Sequence, residues 1–257
     1  MPTKIEWTDE TWNPVTGCTK VSEGCKFCYA ERLSKRFGQD FDVTLHPDRL
    51  GIPLRWRKPR RVFVVSMGDL FHEDVPDQFI DKVFAVMALT PWHTYQVLTK
   101  RPERIVSYIN AANRRERITK GYGPLEAALT GEQWNIGGGW GVDPGAMPWP
   151  LPNVWLGVSV ENQEAADERI PLLLETPAAV RFVSCEPLLS GLDLRDPVQD
   201  WGSGYAGEWD WLGHRFEPEH IPGLYGNPFC KVCGNKEPAP LHKGCLDWVI
   251  VGGESAG

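Results

Sequence analysis

The sequence predicts an α/β protein built on a parallel sheet, and three observations carry that expectation. Short apolar runs recur along the chain, each ending in small or polar residues, as strands buried on both faces do. Between the first two runs, apolar residues repeat at helical spacing, so strand, helix and strand alternate. Glycine and proline number 26 and 22 in 257 residues, an excess that favours many tight turns over a helix bundle.

Taken in order, the first residues, MPTKIEWTDETWNP, hold no apolar stretch of the kind that forms a secretory leader. No apolar run approaches the ~18 residues of a bilayer span. The expectation is a cytoplasmic protein with no membrane partner, where clustered cysteines bind metal more often than they pair. Residues 12–30, WNPVTGCTKVSEGCKFCYA, form a Gly- and Pro-bounded loop, followed by a helix over Ala30–Phe37. The first strand is Arg61–Met67, ending in Gly68-Asp69. Ile80, Val83, Phe84, Met87 and Ala88 then make one helical face, with Pro76 near the first turn and Pro91 beyond the end. A strand over Thr94–Leu98 runs into Thr99-Lys100-Arg101.

Gly121–Pro152 is rich in Gly, Pro and Trp without periodicity and reads as an insertion beside the strand ends. The strand Val154–Val160, containing Ser159, leads to Glu161-Asn162, and a helix over Asn162–Leu174 is expected to break or restart at Pro171. Val180–Ser184 precedes Cys185-Glu186-Pro187. Leu194–Gly244 reads as a second insertion, and Asp247–Val251 runs into Gly253-Glu254-Ser255. One β/α domain thus spans 1–257, with an inserted loop region over 195–246. Five strand ends that all finish polar suggest a functional rim, because α/β sheets place their sites there.

Cys18, Cys25 and Cys28 carry the strongest chemistry. The C-x-x-C pair can grip a metal from one turn, and Cys18 can fold back as a third thiolate. Three thiolates on a [4Fe–4S] cluster leave one iron open to a substrate or cofactor. Zinc with a distant fourth ligand, or unligated cysteines, are the alternatives, since no histidine lies inside the loop. Cys230-x-x-Cys233 and His242-x-x-Cys245 form a second set, whose spacing suits a closed structural Zn²⁺ site that would supply folding energy to its loop. Cys185 reads as a buried thiol facing the rim.

The formal charge of −7 excludes a uniformly basic nucleic-acid binder. Two local basic groups remain: Arg49, Arg55, Arg57, Lys58, Arg60 and Arg61, and then Arg114, Arg115, Arg117 and Lys120. Either could face phosphate, although solvated helix faces and linkers explain such groups as well.

The ordered motifs WNP-x-x-GC, GC-x-x-CYA, GDLFH, LTKRP, LGVSVEN, SCEPLL and VIVGGES resemble those of an uncharacterised phage-associated protein family, itself similar to radical S-adenosylmethionine enzymes. The resemblance covers most of 5–255 apart from the two insertions. It implies a partial, open TIM-barrel-like β/α fold of about six parallel strands, with a [4Fe–4S] cluster on Cys18, Cys25 and Cys28. It also implies S-adenosylmethionine as a cofactor and an electron-donor protein as a partner. Tyr29 would pack beside the adenine or the cluster. Gly68 and Asp69 would stand near the methionyl amino group, and Ser159, Glu161 and Glu186 near the ribose and carboxylate. One departure is plain: six residues separate the first two cysteines where the usual motif has three. In the family a further helix and strand follow the GGES motif, so the chain reads as C-terminally shortened. The expected function is reductive cleavage of S-adenosylmethionine on an unknown substrate, with DNA, RNA or a nucleotide among the choices. The alternative is a non-catalytic, zinc-stabilised nucleic-acid-binding or interaction module.

Overall fold

The computed structural model describes residues 5–120, 147–194 and 246–251. Its centre is a six-stranded sheet made of β1 (Glu10–Trp12), β4 (Arg61–Val64), β5 (Thr94–Thr99), β6 (Val154–Ser159), β7 (Val180–Ser184) and β8 (Trp248–Ile250), in that spatial order. Every neighbouring pair is parallel. Spatial order follows chain order without reversal, so the crossovers wind one way round, as in a β/α barrel and unlike a doubly wound sheet. β2 (Val15–Thr16) and β3 (Thr44–Leu45) form a separate antiparallel pair that ties off the cysteine loop.

The sheet is curved, and Trp7 shows it. Its ring lies 4.8 Å from Phe63 on β4 and 6.4 Å from Trp248 on β8. Those two rings are therefore no more than about 11 Å apart, whereas four strand spacings in a flat sheet amount to ~19 Å. The Trp7 carbonyl also accepts a hydrogen bond from Gln96 Nε2 at 3.2 Å. Trp7 thus fills the concave face at the level of Phe63, Gln96 and Phe182. Gly157 belongs to this packing, because a Cβ there would stand 2.6 Å from the Phe182 ring.

The alternate residues Val62, Val64, Tyr95, Val97, Leu156, Val158 and Val183 are buried in one cluster with the apolar faces of the helices. Each such side chain contributes about 1.5–3 kcal/mol by leaving water. α2 (Asp77–Leu89) starts with Pro76 as its cap residue and buries Ile80, Val83, Phe84, Met87 and Ala88, as the spacing predicts, with Phe79 besides. α3 (Pro102–Asn110) has Pro at its first position, where no N–H is needed. α4 (Arg114–Lys120) follows it. Asn162 caps α5 (Gln163–Leu174) by accepting the Ala165 N–H at 2.9 Å.

Several expectations change. Pro171 does not break α5, which runs through to Leu174. Pro171 and Asp167, whose carbonyl loses its partner, both lie on the exposed face, so water can take that bond while Ile170 and Leu173 stay anchored in the core. The strand read over Arg61–Met67 stops at Val64, because Val65 takes φ 60°, a region β-branched residues rarely adopt. Of the first insertion, 121–146 lies outside the described residues. Its last residues, however, are core and not rim: Met147 and Leu151 are buried, and Trp149 packs 6.0 Å from Phe84. The basic group on α4 is a solvated face only in part, at the exposed Lys120. Arg114 is buried against the Trp149 ring at 3.7 Å, Arg117 pairs with Asp81 at 3.1 Å and Lys120 with Glu116 at 2.6 Å. Among the described residues no helix is long and apolar enough to cross a membrane.

Candidate functional site

Because all six strands run the same way, the residues that follow β1, β4, β5, β6 and β7 emerge at one end of the sheet. The cysteine loop is sewn onto that end through β1 and β4. Asn13 Oδ1 accepts the Ser66 hydroxyl at 3.2 Å and the Met67 N–H at 3.0 Å, and the Gly17 N–H reaches the Met67 carbonyl at 2.9 Å. Gly17 has φ +84°, and a Cβ on it would lie 2.0 Å from the Asp42 carbonyl oxygen, so only glycine fits directly before Cys18. The Cys18 N–H then bonds the Phe41 carbonyl at 3.1 Å. A single 3₁₀ turn over Glu23–Cys25 and the start of α1 (Tyr29–Arg36), capped at Cys28, bring the other two cysteines round.

The result is one cavity of about 330 Å³ lined by Cys18, Cys25 and Cys28, together with Thr19, Lys20, Glu31 and neighbouring residues. All three thiols are free and half-buried. Each of the first two is faced by a cation. Arg101 Nη1 donates to Cys18 Sγ at 3.4 Å. Burial, helped by Asp69, still holds the Cys18 thiol above the usual range despite that guanidinium. Cys25 is also pushed up by burial, but hydrogen bonds from the Val21 and Ser22 region and the charge of Lys100 outweigh this and bring it below the usual range.

The cations are themselves held by buried carboxylates. Asp69, 5% exposed, accepts the Thr99 hydroxyl at 2.8 Å, the Phe71 and Lys100 N–H groups at 2.9 and 3.2 Å, and Arg101 Nη1 at 3.2 Å. Arg101 also reaches the Thr19 hydroxyl at 2.9 Å, which fixes it between the strand end and the loop. Glu161, 1% exposed, pairs with Lys100 Nζ at 3.1 Å and Arg169 Nη1 at 2.9 Å. Burial would raise its carboxyl, but Lys100, Ser22 and Arg169 together keep it below the usual value. Gly24 of the cysteine loop rides directly on Glu161, with room of only 3.0 Å for a Cβ.

Among the described residues, no three His, Cys, Asp or Glu side chains converge on a single metal ion.

The family described as a protein of unknown function (DUF5131) matches residues 2–257. The chain belongs to this family. Comparison with curated proteins gives no match. Among solved structures, this DUF5131 chain is similar to spore photoproduct lyase complexed with dinucleoside spore photoproduct, at a TM-score of 0.43 and 12% identity. The match covers 74% of this chain and 49% of that one, so the DUF5131 chain spans about half the length of the enzyme it matches.

The remaining sequence-derived residues of this DUF5131 site fall into groups. Gly68 lies in the turn after β4, pressed onto Gly17 with 2.7 Å to the Gly17 carbonyl oxygen for a Cβ. Asp69, Ser159 and Glu161 are buried, and both carboxylates are occupied by protein donors. The Ser159 carbonyl accepts Arg169 Nη1 at 2.8 Å. Tyr29 and Glu186 are exposed; the Tyr29 hydroxyl donates to the Ser66 carbonyl, which anchors the ring beside Cys28. Cys185 is buried, and burial and then Glu186 push its thiol up to about 11, in keeping with an inert thiol. Cys230, Cys233, His242, Cys245 and Gly253-Glu254-Ser255 lie outside the described residues. The sequence reading left Asn13, Thr19 and Arg169 unassigned and gave Lys100 and Arg101 no role. The signal for the last two was a Lys-Arg pair directly after a strand, in a position that parallel sheets turn toward their sites.

Proposed function

We propose that the protein is an iron–sulfur enzyme of radical S-adenosylmethionine type, in which Cys18, Cys25 and Cys28 hold a [4Fe–4S] cluster at the C-terminal end of the sheet. One observation carries the reading: three free, half-buried thiols line a single cavity, and two of them are each faced by a cation. The six-residue spacing between the first two cysteines supports convergence here, because the turn at Ser22–Cys25 folds the extra length back over Glu161. The chemistry such a cluster supplies when bound is one-electron cleavage of S-adenosylmethionine to start hydrogen abstraction from a substrate.

The chain's own residues have distinct parts in this reading. Arg101 and Lys100 offset the negative charge of thiolates gathered in a half-buried site, and Asp69 and Glu161 hold those cations in place instead of contacting the cofactor. Tyr29, exposed beside Cys28 with its hydroxyl on the Ser66 carbonyl, offers its ring to the adenine, and the exposed Glu186 offers a carboxylate to a polar group of the cofactor. Gly68, pressed onto Gly17, lets the cysteine loop lie close on the strand end. The second cysteine set, Cys230, Cys233, Cys245 and His242, is proposed to hold structural zinc on its ligand spacing.

Anaerobic reconstitution followed by iron and sulfide analysis, EPR and assay for 5′-deoxyadenosine tests the proposal. The wild type is expected to hold four irons and to release 5′-deoxyadenosine on reduction with S-adenosylmethionine. A wild type that holds no more iron than a Cys18→Ala/Cys25→Ala/Cys28→Ala variant overturns it, and tightly bound zinc alone would favour the non-catalytic module.

A further inference from the structure

The opposite end of the sheet carries a second open cavity, of about 600 Å³, lined by Leu54, Arg55, Trp56, Arg57, Pro59 and Trp92. These residues stand just before β4 and β5, at the N-terminal ends of the strands. A six-residue strand, about 20 Å long, therefore separates this cavity from the cysteine end.

Its two tryptophans are fixed by a buried histidine. The His93 ring lies 5.5 Å from Trp56 and 5.7 Å from Trp92. His93 Nδ1 accepts the Arg60 N–H at 3.2 Å, while Nε2 lies 3.2 Å from the Pro53 carbonyl oxygen and 3.0 Å from the Trp92 indole nitrogen. Trp92 thus packs edge-on against the His93 ring, yet 40% of its surface stays in water. A ligand that stacks on it would immobilise little that is not already ordered.

The cations around these rings are used unequally, and Arg60 already lies over the Trp56 ring at 5.4 Å. Of the basic residues before β4, Arg60 pairs with Glu10, and Arg61 pairs with Asp9 at 3.2 Å. Arg55, Arg57 and Lys58 are exposed and make no ion pair among the described residues. Arg55, Arg57 and Lys58 lie within four positions and concentrate positive charge beside the two rings, a local patch on a chain of net charge −7. Flat aromatic faces set among cations suit a ligand with repeating negative charge and accessible flat rings, which is single-stranded nucleic acid. A duplex keeps its bases stacked inside, and an acidic peptide would use the charges without needing the rings.

We propose that Arg55, Arg57 and Lys58, with Trp56 and Trp92, form an anchoring site for single-stranded nucleic acid, remote from the cysteine cavity and independent of what that cavity holds. Fluorescence anisotropy with labelled dT12 tests this. The wild type is expected to bind with an affinity that falls as salt rises, equally with and without iron reconstitution, so failure of the cluster reading leaves this test intact. Trp92→Ala is expected to weaken binding at least fivefold, and Trp92→Phe to retain most of it. Arg55→Ala/Arg57→Ala/Lys58→Ala is expected to flatten the slope of log K against log salt by about 2, from three phosphate contacts. Circular dichroism checks that each variant is folded. Absence of dT12 binding, or binding unchanged in Trp92→Ala, overturns the proposal; so does equal competition by a polyglutamate peptide, which would mark an acidic-protein dock.

Discussion

Replacing Arg101 by methionine removes a side chain that bridges the strand ends to the cysteine loop. Its guanidinium and the Asp69 carboxylate are 9% and 7% exposed, so neither is fully compensated by water when the other is lost. The bridge comprises Asp69 at 3.2 Å, the Thr19 hydroxyl at 2.9 Å, the Thr19 carbonyl at 3.3 Å and Cys18 Sγ at 3.4 Å. Breaking a buried ion pair from one side costs about 3–5 kcal/mol. The Thr99, Phe71 and Lys100 donors remaining on Asp69 place the expected loss near the lower end of that range. At about 2–4 °C per kcal/mol for a chain of this size, Tm should fall by roughly 6–12 °C. Urea unfolding followed by circular dichroism measures the loss directly. The Asp69→Asn/Arg101→Met double variant should be more stable than the sum of the single losses predicts, by about 0.5–3 kcal/mol, because the pair is lost together. A single-variant cost under about 1 kcal/mol, or strict additivity, would refute the view that this pair holds the loop down.

Four further outcomes follow from local geometry. Gly17→Ala forces a side chain into φ +84° and 2.0 Å from the Asp42 carbonyl, so it should cost at least about 2 kcal/mol and speed thiol labelling of Cys18; wild-type labelling would contradict this. Gly157→Ala places a methyl 2.6 Å from the Phe182 ring and should cost about 1–3 kcal/mol in urea unfolding, relieved by adding Phe182→Leu. Pro171→Ala restores an N–H to the Asp167 carbonyl on an exposed helix face and should raise stability by up to about 3 kcal/mol; a loss would show that the proline is needed. Burial holds the His93 imidazole below its ordinary value of 6.5, against the Pro53 carbonyl, which favours the charged form. The unfolded chain therefore binds the proton more readily, so this contribution to stability is complete above about pH 6.5 and is lost as pH falls toward the folded value. Urea midpoints between pH 7.5 and 5 should show that decline, and His93→Gln should flatten it.

Much of the sheet was legible because its strands announce themselves as apolar runs. β7 was placed to the residue, and β5, β6 and β8 to within one residue at an end. β1 was not, since Glu10–Trp12 is three residues long and becomes a strand only by pairing with Val62–Val64. α3 went unread although Pro102, Ile105, Tyr108 and Ile109 make a buried helical face, whereas α4 has one apolar residue, Ile118, and rests on pairs such as Arg117 with Asp81 that sequence spacing does not reveal. At the site, the gathering of Cys18, Cys25 and Cys28 into one cavity was readable from Gly17, the C-x-x-C pair and the turn residues between them. The roles of Asp69 and Glu161 were not. A carboxylate after a strand looks the same whether it faces a ligand or closes on Arg101 or Lys100, and only partners 30 to 60 positions away decide the matter.

The contact between Trp7 and Trp248 ties the start of the described chain to its last strand, 6.4 Å apart across nearly the whole sequence. Contacts of such long range form late, because loop closure must be complete before they add any stability. During synthesis, β1 and β4–β7 can line up as each emerges, but the concave face stays open beside β7 until β8 arrives. For that interval Trp7, Phe63, Trp155 and Phe182 present a shared aromatic surface to water, the kind of exposure that chaperones recognise and that aggregation exploits. The ring that rounds the sheet in the finished molecule therefore makes closure of its concave face wait for β8.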